Sequence, residues 1–70
     1  MHLRFHAFIE KGEKYLIASC AEIPEAVGQG LTREECLRDL RGSIQSVLEY
    51  RQAEAKVRMP DAEEVELEVA

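Results

Sequence analysis

No run of apolar residues in this 70-residue chain approaches the roughly 20 that a membrane-crossing helix requires, so no transmembrane span is expected. The opening stretch Met1-His2-Leu3-Arg4-Phe5-His6 alternates and lacks the apolar core of a secretory signal, which points to the cytoplasm. Cysteine is scarce. Cys20 and Cys36 are too few for a disulfide framework, and in a reducing compartment both are expected to remain thiols. Positive charge is in deficit, with 9 Lys+Arg against 14 Asp+Glu, a net charge of -5 and a pI near 4.9. Such a field repels phosphates, so direct binding of nucleic acid is not expected.

The groups that would carry chemistry are missing as well. Ser19, Ser43 and Ser46 have no Gly-x-Ser-x-Gly elbow around them, and the histidines are confined to His2 and His6. Gly28-Gln29-Gly30 precedes a helix, but Arg33 stands where a third glycine would, no Gly-Lys-Ser/Thr follows, and Glu34 and Glu35 would repel an anion. Those glycines read as a turn into a capped helix. His2, His6, Cys20 and Cys36 lack the C-x-x-C or H-x₃₋₅-H spacing of a metal site. Carboxylates are abundant, yet acid–base work needs them held in a cleft with shifted pKa values. The expectation is a protein without catalytic residues, metal or cofactor.

What is present is a globular composition, 46% hydrophobic and 33% charged, in a chain long enough for one small domain. At this size only about 60% of the unfolded surface can be buried, so a second subunit is an early expectation, as a homodimer or higher oligomer. Leu3, Phe5, Ala7 and Ile9 alternate with His2, Arg4, His6 and Glu10 in the period of a half-buried strand. Lys11-Gly12-Glu13-Lys14 is a polar turn, and Tyr15 to Ala21 is apolar on both parities, so the two segments read as a hairpin. Pro24 interrupts, and Ala26 to Gly30 allows a short strand.

Thr32-Arg33-Glu34-Glu35 is a capping box, with Leu31 and Cys36 placed for a hydrophobic staple. Leu37, Leu40, Ile44, Val47, Leu48 and Arg51 then recur at spacings of three and four, with Arg38, Asp39, Arg41, Gln45 and Glu49 facing water. Met59 precedes Pro60 and must be extended, so the helix ends before it. Glu64 to Val69 alternates again and predicts a last strand. The expected fold is α+β, a small β-β-β-α-β domain whose mostly antiparallel sheet carries one long amphipathic helix on one face. The other face is open.

Glu64, Glu66 and Glu68 form an acidic strip that reads as a solvated strand face or as a match for a basic partner, where it would raise the association rate. Arg4, His6 and the exposed-looking Phe8 share the polar parity of the first strand and are candidates for a subunit contact.

The stretch from Tyr15 to Cys36 (YLIASCAEIPEAVGQGLTREEC) resembles the HicB-like antitoxin family. That family follows a hairpin with Pro-Glu-Leu-Pro-Gly-Cys, a variable residue or two, Gly-x-Thr-x-Glu-Glu-Ala and an amphipathic helix. Glu22, Ile23, Pro24, Gln29, Gly30, Thr32, Glu34 and Glu35 fall on matching positions, while Ala21, Glu25, Ala26 and Cys36 depart from the pattern. The resemblance implies a partial ribonuclease-H-like fold, a homo-oligomer, and neutralisation of a small basic ribonuclease toxin of the HicA type. Glu22 and Pro24 join Arg4, His6, Phe8, Glu64, Glu66 and Glu68 as candidate partner-binding residues, and Gly28, Gly30, Thr32 and Glu35 as the structural motif. A ribonuclease H needs metal-binding acids on its first strand, where this chain has Arg4 to Ile9, so nuclease activity is not expected. Many relatives carry a C-terminal DNA-binding domain. Residues 1–70 are expected to form the single antitoxin-like domain without one. The rival expectation is a stand-alone oligomeric domain with a regulatory or ligand-binding role and no toxin.

Overall fold

A computed structural model describes residues 4–67. Three strands come first, β1 (Ala7–Lys11), β2 (Leu16–Cys20) and β3 (Val27–Gly30), and one helix follows, α1 (Arg33–Arg58). The sheet is an antiparallel meander in the order β1-β2-β3. Ala7 lies opposite Cys20 and Lys11 opposite Leu16, while Leu16 lies opposite Gly30 and Ser19 opposite Val27. The α+β class and the helix on one sheet face are as the alternation and the three-four spacing require. β1 begins later than the pattern suggests, although the Ala21 amide still donates to the His6 carbonyl at 3.0 Å and carries the pairing to His6. His2 and Leu3 lie outside the described residues. The hairpin closes at Gly12, whose amide donates to the Tyr15 carbonyl at 2.9 Å.

Thr32 caps α1. Its Oγ1 accepts the Glu35 amide at 3.2 Å, Glu34 and Glu35 occupy the positive end, and Lys56 and Arg58 the negative end. Leu31 stays 64% exposed, so Cys36 is buried by the sheet rather than by a staple. The helix stops at Arg58 with Met59 as its C-cap, just before Pro60.

Period two decides which residues the helix covers. Leu16, Ala18, Cys20, Gly28 and Gly30 share the covered parity, and the buried core is Ala18, Cys20, Ile23, Ala26, Cys36 and Leu40. Gly28 and Gly30 lie in the short strand expected over Ala26 to Gly30 and do not themselves form the turn into the helix, and neither has positive φ. Their role is close approach. A Cβ on Gly28 would stand 2.4 Å from the Leu40 backbone nitrogen, and one on Gly30 would stand 2.7 Å from that of Cys36. The helix backbone rests directly on β3, and the Cys36 thiol donates to the Leu16 carbonyl at 3.4 Å.

The final strand is the one element that does not form among the described residues. Residues 63–67 carry no regular structure, and Glu64 to Leu67 are exposed. The physical reason is reach. A helix of 26 residues is about 39 Å long, whereas five-residue strands span about 17 Å. The chain therefore leaves α1 well beyond the sheet, where Val65 and Leu67 meet no edge. Glu68 and Val69 lie outside the described residues.

Candidate interaction surface

The two edges of the sheet differ. On β3 the outward amides of Val27 and Gln29 are taken by helix side chains, Ser43 Oγ at 3.2 Å and Asp39 Oδ2 at 2.9 Å. That edge is closed to a further strand. Asp39 is thus a ladder partner while staying exposed, as the helical spacing suggests. All five residues of β1 are exposed, and among the described residues no strand pairs with its outer edge.

Three exposed apolar side chains share the open face, Phe8 (59%), Ile17 (42%) and Val27 (52%). Phe8 is opposite Ser19, which is opposite Val27, so the first and third flank one row of the sheet, and Ile17 sits in the next row between Glu10 and Gln29. The sequence marks Phe8 alone. Ile17 is hidden in a segment that is apolar on both parities.

On the covered face, helix and β1 diverge and leave a groove of about 460 Å³. Its floor and walls are Phe5, Ala7, Cys20, Leu40, Ile44 and Leu48, with Arg41 as the one charged lining residue.

His6 and Glu22, both named from sequence, come together. The Glu22 carboxylate accepts the His6 backbone amide at 2.8 Å and lies 2.5 Å from His6 Nδ1, and the Cys20 thiol points at it from 3.5 Å. The bond from the His6 amide, then that from the ring, lowers the Glu22 carboxyl to about 2. Arg4 lies two residues before His6 on the same strand parity. Pro24 occupies an exposed turn, beside Glu25, which pairs with Arg51 of the helix. Glu64 is bonded to Gln52 at 2.9 Å and lies 3.4 Å from Lys56, which lowers its pKa through the Gln52 bond and then the ammonium. It is not brought to Glu22, and Glu66 is exposed. Thr32 and Glu35 meet in the cap. The Glu25–Arg51 and Ser43–Val27 contacts have no local sequence signal, because each joins residues that are distant along the chain.

Among the described residues no three His, Cys, Asp or Glu side chains converge as metal ligands, and no helix is long and apolar enough to cross a membrane. Both cysteines are free and buried. No protein-family model, curated protein or solved structure matches this chain.

Proposed function

We propose that this chain is a non-catalytic, antitoxin-like binding module of the cytoplasm that covers a small basic ribonuclease of the HicA type and also assembles with itself. The observation that carries the reading is the uncovered surface. The chain exposes 6118 Å², against roughly 4,500 Å² for a compact monomer of 8.0 kDa. Its Cα radius of gyration is 14.9 Å, against about 11 Å for 70 compact residues. Unburied area on this scale supports a reading in which another protein completes the surface.

The open sheet face is the surface offered to the toxin. Phe8, Ile17 and Val27 supply apolar anchors, and Glu10 stands on the same side in a molecule of net charge -5. A basic partner is steered towards such a patch, and the steering weakens with salt. The two free thiols fit a reducing compartment. The alternative reading, an oligomeric domain without a toxin, draws on the free β1 edge, which suits self-association as well as it suits a partner.

The test is RNA cleavage by a purified basic ribonuclease of this type. Adding the chain at an equal molar ratio should abolish cleavage and give a salt-sensitive complex, and Ile17→Asp should restore cleavage. Unchanged cleavage at tenfold excess would refute the toxin reading.

A further inference from the structure

The tail after the helix and the groove beside β1 have complementary patterns. Glu64, Val65, Glu66 and Leu67 alternate acidic and apolar, as an added strand would, yet Val65 and Leu67 are 62% and 79% exposed. The groove has an apolar floor and borders the β1 edge, which, unlike that of β3, no side chain closes among the described residues. Just before β1, on the opposite parity, come Arg4 and His6, where the acidic side of such a strand would lie. We propose that the tail of a second copy of this chain adds to β1 as a fourth strand, with Val65 and Leu67 in the groove over Phe5 and Ala7, and that the exchange is reciprocal.

Area selects a second copy over the chain's own tail. The excess exposure of roughly 1,600 Å² exceeds what a few tail residues can remove, but it is within what one subunit buries in an obligate dimer, on the order of 1,000–2,500 Å². Reciprocal exchange also brings the overhanging half of α1, with Leu48 and Tyr50 exposed, against the partner. The link is short and stiffened by Pro60, and a hinge of that kind favours exchange between copies. The result is an isologous dimer in which each groove is filled by the other chain. The apolar side of the tail enters the groove and not the patch of Phe8, Ile17 and Val27 on the open face, so loss of toxin binding with the dimer intact, or the reverse, tells the two proposals apart.

Cross-linking tests it on the full chain. Two double variants, Ala7→Cys with Val65→Cys and Ala7→Cys with Leu67→Cys, are built on a Cys20→Ala background, because the Cys20 thiol lies opposite position 7, and each is prepared in light and in heavy-nitrogen form, mixed, refolded together and oxidised. Peptide mapping should find position 7 of one copy bonded to position 65 or 67 of the other, with mixed labels. Same-label links alone would place the tail in its own groove and overturn the proposal, and so would the absence of any such link in both variants. As a second readout, Val65→Asp with Leu67→Asp alters exposed side chains and leaves the core intact. It should halve the mass in solution while keeping the helical circular dichroism, and an unchanged mass would also overturn the proposal.

Discussion

Asp39, on the second turn of the helix, accepts the backbone amide of Gln29 at 2.9 Å, so the element that covers the sheet also closes its edge. The Ser43 hydroxyl does the same for Val27 one turn later. Asp39→Ala should cost about 1 kcal/mol in urea unfolding. Amide exchange at Gln29 should accelerate more than exchange across β1 and β2; uniform acceleration would mean that Asp39 merely supports the fold as a whole.

Two glycines make opposite predictions. Gly28→Ala puts a methyl against the Leu40 backbone, which cannot move as a side-chain tip can, and should destabilise the chain by at least about 2 kcal/mol. Gly42 lies mid-helix with open space around its missing Cβ. Gly42→Ala should stabilise by about 0.5–1 kcal/mol through helix propensity. Urea midpoints of the two variants measure both.

The sequence shows the meander and the helix because periods of two and of three to four are local, and the cap is legible from Thr32 and Glu35. It does not show why Gly28 and Gly30 are glycines, since the helix atoms packed on them belong to residues five to twelve positions further along the chain. The alternation after Pro60 reads as a strand, but alternation states only that a segment can pair. Whether it meets an edge depends on where a 26-residue helix delivers it. Of the candidate partner-binding residues, His6 and Glu22 converge, whereas Glu64 bonds to the far end of the helix.

Acid should weaken the fold through Glu22. Its carboxyl titrates at about 2 when folded, against 4.5 as its ordinary value. A lowered folded pKa contributes stability that is present above about 4.5 and is lost as the pH falls towards 2. Glu22→Gln should therefore flatten the acid limb of urea midpoints between those values. An identical acid limb in both proteins would remove Glu22 from the account.

Thr32→Ala removes the oxygen that accepts the Glu35 amide and should cost about 1 kcal/mol, with fraying at the first turn of α1. Thr32→Ser should recover most of the loss in thermal unfolding.

Sedimentation equilibrium of the unaltered chain, across a micromolar concentration series and without any other protein, tests most directly whether its uncovered surface is there to be shared. The account predicts a species of about twice 8.0 kDa that dissociates on dilution. A particle of 8.0 kDa at every concentration, with a radius of gyration near the compact value of about 11 Å, would contradict it.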